Sequence, residues 1–246
     1  MHLNSGKTKS IYTDEDPNTV LIKFNDTITA NNGKKTAEIY RKGLINCQIS
    51  QNLFILLEKA GVDTHYLSRR ASTYLLVKKA EVIPIEVVVR NKAAGGICRQ
   101  TTIEKGTDLS PALVEFYLKD DSKNDPLLTT DRIIKMGYDI NLIDELTTKA
   151  HQVNFILKDV FKRADYQLVD FKLEFGYSVE DNKLILVDEI SPDSCRLWEE
   201  GTNKSHDKDL FRQDTDDLDD QVQDVWLGYQ LVFDALAFQN ALQRKS

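Results

Sequence analysis

Leu168 to Glu199 reads LVDFKLEFGYSVEDNKLILVDEISPDSCRLWE, with the apolar Leu168, Phe171, Leu173 and Phe175 interleaved by Asp170, Lys172 and Glu174. That pattern predicts a strand with one polar face. Leu184–Val187 is its predicted partner across a turn at Glu180, Asp181 and Asn182. A three-residue loop closing Val179 on Lys183 would set Glu174 across from Asp188, with both carboxylates on one face. A two-residue turn at Asp181-Asn182 would instead set Glu174 across from Glu189.

Two carboxylates held side by side repel and call for a compensating cation. Mg²⁺ takes one or two carboxylates and leaves its other positions to water and phosphate oxygens, so the pair suits a nucleotide site. Lys172, on the same face, would neutralise a carboxylate or contact a phosphate. The competing reading is a solvated hairpin whose charges merely pair across strands. The next residues favour a site: Ser191-Pro192-Asp193-Ser194-Cys195-Arg196 ends the strand with small polar residues, an acid and an arginine, the composition of a binding loop on a rigid support.

DFKLEFG followed by VDEISPDSCRLWE resembles the signature of the SAICAR synthetases (phosphoribosylaminoimidazole-succinocarboxamide synthases) of purine biosynthesis. Further segments match in order: GKTKSIY (Gly6–Tyr12), FNDTITANNGKK (Phe24–Lys35), IPIEVVVRNKAAGG (Ile83–Gly96) and DKDLFR (Asp207–Arg212). Gly96 departs from the pattern, standing where many members carry a serine that helps hold the ribonucleotide phosphate. Thr129-Thr130-Asp131-Arg132 also matches poorly, and no functional residue is carried over from it.

The resemblance implies a two-part α+β fold, with an N-terminal antiparallel-sheet lobe, a larger lobe of ATP-grasp or kinase-like character, and nucleotide in the cleft between them. It implies an ATP-dependent ligase that joins carboxyaminoimidazole ribonucleotide (CAIR) to L-aspartate, giving SAICAR, ADP and phosphate through an acyl phosphate. Mg²⁺ would sit on Glu174 and Asp188, with Asp26 completing the shell. Gly6, Lys7, Lys9 and Lys35 would hold ATP, and Lys7, Lys9 and Lys172 would offset charge on the transferred phosphoryl group. Arg90 and Arg196 would bind the ribonucleotide's oxyanions bidentately. Asp193 would orient the imidazole amine or the incoming aspartate, with Lys208 and Arg212 approaching the substrate.

Composition agrees with such an enzyme. The 246 residues suffice for one or two cored domains, with 41% hydrophobic and 29% charged content. A net charge of −7 argues against nucleic-acid or anionic-membrane partners. Cys47, Cys98 and Cys195 have no C-x-x-C spacing and leave an odd count, which predicts neither a disulfide framework nor zinc and fits a reducing cytoplasm. No apolar run reaches membrane-span length, and the polar N-terminus has no signal-peptide core. A homodimer is left open.

Val20–Phe24 and Thr73–Lys79 are predicted strands, and Thr36–Ala60 a helix with Thr36 as N-cap and Gly61 as stop. Pro84, before the β-branched run Ile85–Val89, suggests a boundary between a lobe of residues 1–82 and one of 83–246. Ile143, Leu146, Ala150, Val153, Leu157, Val160 and Ala164 define a helix with one buried face. Val222, Val225, Tyr229 and Val232 predict another, and the preceding Asp214, Asp216, Asp217, Asp219 and Asp220 read as a solvated helix start, since an EF-hand's glycine and ligand spacing are missing. No P-loop or G-x-G-x-x-G is present, so Gly6, Lys7 and Lys9 on an N-terminal hairpin would meet the phosphates, with both lysines on one side of a strand. A small-molecule kinase and a non-catalytic nucleotide-binding protein are the two rival readings.

Overall fold

The computed structural model describes residues 1–30, 33–213 and 217–243, with side chains to residue 237; Asp214 and Asp216 lie outside the described residues. Strands β1 (His2–Ser5), β2 (Lys9–Thr13) and β3 (Thr19–Phe24) form an antiparallel meander. A separate ribbon, β4 (Thr27–Ala30) with β5 (Lys35–Glu38), leads into helix α1 (Lys42–Lys59). Then β6 (Tyr66–Ala71) and β7 (Tyr74–Lys78) complete a first sheet in the order β1-β2-β3-β7-β6.

The predicted cap at Thr36 is corrected: Thr36 lies in β5, paired with Thr29. The helix is started from outside its own sequence neighbourhood. Asp26 accepts hydrogen bonds from the Gly43 N–H at 2.8 Å and the Arg41 N–H at 3.3 Å, which places a negative charge at the positive end of α1. Arg41 makes the turn with a φ of 62°, and a side chain at Gly43 would collide with the Phe24 carbonyl. At the other end Gly61, at φ 83°, stops the helix as predicted.

A second sheet is built from β8 (Ala80–Lys92), β9 (Asp108–Leu118) and β10 (Leu127–Leu128), with the short helices α2 (Gly96–Gln100) and α3 (Thr130–Lys135) between and after them. After the long helix α4 (Ile140–Arg163) come β11 (Tyr166–Ser178), β12 (Leu184–Val187) and β13 (Cys195–Glu199). The order is β10-β9-β8-β11-β12, with β13 also paired to β11. The sheets change at Lys79, so a cut between residues 82 and 83 falls inside β8. Pro84 does not break that strand because it sits where the β8–β11 register shifts, a bulge that needs no N–H from it.

The hairpin register also differs from both predicted ones. Glu174 lies opposite Val187, because the loop runs from Val179 to Asn182 and closes with the Ser178 N–H donating to the Lys183 carbonyl at 2.9 Å. Nor is the hairpin face solvated: β11 is a central strand, and Asp170 and Glu174 are 3% and 4% exposed. β12 lines one half of β11's edge, at Glu174–Tyr177, and β13 the other half, at Tyr166–Phe171. The stretch Asp188–Ser194 therefore leaves the sheet at the middle of β11, where the Lys172 N–H donates to the Ser194 carbonyl at 2.9 Å.

Helix α4 lays Ile143, Leu146, Ala150, Val153 and Leu157 against β8 and β11. Finally α5 (Asp209–Arg212) and α6 (Leu218–Gln243) pack together, with α6 also on α1; Asp217 caps α6 through the Asp219 and Asp220 N–H groups at 2.9 and 3.2 Å. Both sheets and helices α1, α4 and α6 share one continuous hydrophobic core. Among the described residues no helix is long and apolar enough to cross a membrane.

Candidate active site

The loop from Asp188 to Ser194 separates two charged clusters that meet along β11. At one end, Lys9 contacts Asp188 and lies 2.8 Å from Glu189. Lys172 contacts Glu174, lies 3.0 Å from Glu86 on β8 and 3.6 Å from Asp188, and Lys119 contacts Glu174 from the end of β9. Four carboxylates thus share three ammonium groups. An uninterrupted strand would send Asp188 to the opposite face from Val187, but its left-handed φ of 69° ends β12 and brings its carboxylate to the lysine that holds Glu174. That conformation costs a non-glycine residue about 1–2 kcal/mol, and such strain tends to sit at functional sites.

Burial alone would raise the Asp188 carboxyl, but Lys9 and Lys172 outweigh it and hold the group ionised, well below the ordinary carboxylate range. The same pairs reverse the effect of burial on Lys9 and Lys172 and push both amines up. Glu86, most affected by its burial, is pushed up despite Lys172. Two carboxylates bridged by one ammonium form a hard, oxygen-only donor set, and Glu174 and Asp188 in that arrangement fit a magnesium ion that would take the ammonium's place. Among the described residues no group of three or more His, Cys, Asp or Glu is placed to hold a metal ion.

Of the predicted nucleotide ligands, Lys7 and Lys9 do not share one strand face. Gly6 and Lys7 lie in the turn between β1 and β2, closed by the Gly6 N–H on the Lys9 carbonyl at 2.8 Å. Only Lys9 points into the acidic cluster, while Lys7 reaches Asp121 of the second sheet's β9–β10 connection at 2.5 Å. Lys35 lies 2.8 Å from the Gln213 carbonyl and over the Phe211 ring, beside α5. Both oxygens of Asp26 are engaged at the start of α1.

At the other end Arg90 and Arg196 converge on one oxygen of Asp170, at 2.5 and 2.6 Å. Arg90 also meets Glu115 at 2.6 Å and Tyr117 at 3.1 Å; Arg196 meets Asp209 at 2.6 Å, and Asp209 contacts Arg212. Gly95, at φ 65°, lets the backbone pass directly under the Arg196 guanidinium, where any side chain would collide. The two forks are therefore fixed in position before any ligand arrives.

Sequence reasoning passed over the residues that hold the loop between these ends. Asp193 is gripped by Lys42 at 2.6 Å, Asn46 at 2.9 Å and Tyr229 at 2.7 Å, and Ser50 donates to the Ile190 carbonyl at 3.1 Å. Burial raises the Asp193 carboxyl, but Lys42 chiefly overcomes this and takes it down to about 2. The signal was present: Lys42, Asn46 and Ser50 recur every fourth residue on the face of α1 that also buries Ile49, Leu53 and Leu57. Glu86, a lone acid within Ile85–Val89, gave another. From Glu189 the contacts run on through Ser191 Oγ, 2.5 Å away, to the Asp193 N–H, 3.1 Å further.

Comparison with known proteins identifies the family. The SAICAR synthetase family model matches residues 2–227. A phosphoribosylaminoimidazole-succinocarboxamide synthase of Synechococcus sp. (strain CC9605) is 46% identical over 86% of each chain, and one of Nostoc sp. is 44% identical over 91% of this chain and 93% of its own. The crystal structure of the synthase from Ehrlichia chaffeensis superimposes with a TM-score of 0.90 at 38% identity, covering 96% of this chain and 98% of that one. A SAICAR synthetase solved in complex with ADP gives 0.85 at 36% identity, over 92% and 96%. With its two-part antiparallel α+β fold and its paired charged clusters, this chain belongs to the SAICAR synthetase family of ligases.

Proposed function

We propose that this chain joins the carboxylate of CAIR to the amine of L-aspartate while converting ATP to ADP and phosphate, in the cytoplasm, where its three free cysteines fit a reducing environment. The observation that carries the reading is the placement, along the single strand β11, of an exchangeable acid–lysine cluster next to two prefixed guanidinium forks. The first is suited to a metal-bound polyphosphate and the second to a doubly anionic ribonucleotide.

Glu174 and Asp188 would hold Mg²⁺, which when bound would neutralise phosphate charge. Lys9 and Lys172, released from these acids, would turn to the transferred phosphoryl group, and Lys7, with its side chain 39% exposed, is free to move onto the nucleotide from the Gly6 turn. Arg90 and Arg196 orient the ribonucleotide so that its carboxylate faces the γ-phosphate. Attack there gives an acyl phosphate, and the aspartate amine then displaces phosphate; most of the work is positioning. Asp193, with Lys208 and Arg212 of the following segment, would line the aspartate side, and the contact of Lys35 with the Gln213 carbonyl and the Phe211 ring supports a position beside that segment for it too.

The test is to incubate the protein with ATP, Mg²⁺ and CAIR, with and without L-aspartate, and to follow ADP and the nucleotide product by mass. Aspartate-dependent ADP release with formation of the succinocarboxamide is the expected result. A stable phosphorylated product without aspartate dependence would replace the ligase by a kinase, and no turnover despite nucleotide binding would leave a non-catalytic protein.

A further inference from the structure

An amine attacking an acyl phosphate must first lose a proton, because at neutral pH the aspartate nitrogen is an ammonium ion. The side chains near the Asp188–Ser194 loop differ sharply in their capacity to take that proton. Asp193 is poorly suited: three donors engage both its oxygens, and its carboxyl is held at about 2. Lys9 and Lys172 are tied to acids that keep them protonated, and Lys42 is locked onto Asp193.

Lys208 differs. Its backbone N–H is fixed to the Pro192 carbonyl at 3.2 Å, next to Asp193, and its own carbonyl accepts from Phe211 and Arg212 at 3.0 and 3.2 Å, so its position is set by both the loop and α5. Yet among the described residues its ammonium makes no ion pair, whereas Lys7, Lys9, Lys42, Lys119 and Lys172 each have a carboxylate in contact. The charged groups acting on it are Asp193 and Glu189 of the loop, Arg212 of α5 and Lys42 of α1, with Tyr229 of α6 beyond Asp193. Burial has the largest effect and pulls the amine below its ordinary value; Asp193 opposes this, Arg212 and Lys42 reinforce it, and Glu189 opposes it.

We propose that Lys208 is the general base that deprotonates the incoming aspartate amine, an assignment that rests on the ligase reading above. The neutral Lys208 amine takes one proton from the ammonium. The freed nitrogen lone pair forms the C–N bond, and the C–O bond to the phosphoryl group breaks. The second nitrogen proton leaves with the phosphate as hydrogen phosphate, so the step ends with an amide, hydrogen phosphate and a protonated Lys208. A half-buried lysine whose pKa is lowered by its surroundings can serve such proton transfer, and removing a general base typically costs about 10²–10⁴-fold.

The test uses Lys208→Arg, which keeps the positive charge but cannot accept a proton, and Lys208→Gln, which is neutral. Each is assayed with L-aspartate across a pH series, and with hydroxylamine, which is largely uncharged at neutral pH and captures an acyl phosphate as a hydroxamate without a base. Wild-type kcat should rise with pH through the titration of Lys208 and then level off. In both variants kcat with aspartate should fall by about 100-fold or more and lose that rise. Hydroxamate formation and ADP release with hydroxylamine should stay within a few-fold of wild type, and in Lys208→Arg the KM for aspartate should change little. A raised KM with retained kcat would make Lys208 a carboxylate-binding residue and overturn the assignment, as would an unchanged pH profile or equal loss of the hydroxylamine reaction. If one variant fails to fold, the other decides. Absence of hydroxamate in the wild type itself would instead strike at the ligase reading, which separates the two failures.

Discussion

The two charged ends of the site hold similar numbers of acids and bases but are built differently. At the β12 end the cations are lysines, single ammonium groups on flexible stems, and Lys119 and Lys172 keep 44% and 30% of their side chains exposed. At the β13 end they are arginines whose forks are pinned to Asp170, Glu115 and Asp209, with the Arg90 side chain only 5% exposed. Lysine is a point charge that can be exchanged for another cation, whereas a guanidinium fixes direction as well as charge. The lysine end is therefore suited to groups that come and go during phosphoryl transfer, and the arginine end to holding a substrate in one pose.

Breaking the lysine end should abolish chemistry without unfolding the chain. Asp188→Asn should lower turnover by several kcal/mol of transition-state stabilisation, about a thousandfold or more, even at saturating Mg²⁺. Its melting temperature should stay within a few degrees of wild type. Near-normal kcat would remove Asp188 from the metal site. The arginine end should fail in the opposite sense. Asp170 is 3% exposed and shared by Arg90 and Arg196, so Asp170→Asn leaves two guanidinium groups without their common charge, at a cost of about 3–5 kcal/mol. Denaturant unfolding would read this loss directly, and an unchanged midpoint would show that the forks need no internal anchor.

Arg196→Lys sharpens the comparison at intermediate size. Loss of the fork should weaken ribonucleotide binding by about 1.5–3 kcal/mol, roughly 10- to 150-fold in KM, with kcat largely kept. An unchanged KM for the ribonucleotide would reduce Arg196 to a structural partner of Asp170 and Asp209.

Much of this contrast could be read from the chain, and the part that could not has identifiable causes. The β11–β12 hairpin and α4 follow from local periodicity, but the meeting of Glu174 and Asp188 around Lys172 does not: the register sets Glu174 opposite Val187, and the left-handed Asp188 restores a juxtaposition that the longer loop would have lost. The start of α1 was missed because its cap, Asp26, comes from across the β4–β5 ribbon, whereas Thr36 offered a local cap that strand pairing claimed first. Asp170 and Asp193 acquire their roles from residues far along the chain, so spacing alone assigns them none. Lys42 was legible in principle, as a charged residue on an otherwise buried helical face, but only once that face was known to meet the loop.

The smallest expected effect tests the exchangeable character of the lysine end most sharply. Lys7 and Asp121 join the first sheet's opening turn to the second sheet's β9–β10 connection, with side chains 39% and 63% exposed. An ion pair so open to water is worth about 0–1 kcal/mol and is screened by salt. Asp121→Asn should therefore leave the unfolding midpoint unchanged, while freeing Lys7 to meet phosphate and tightening ADP binding a few-fold at low ionic strength. The gain should vanish at high salt, where the wild-type pair is already weakened. A lowered midpoint would mean that the pair is a structural clamp between the sheets, and Lys7 would then belong with the pinned guanidinium groups rather than with the lysines that let go.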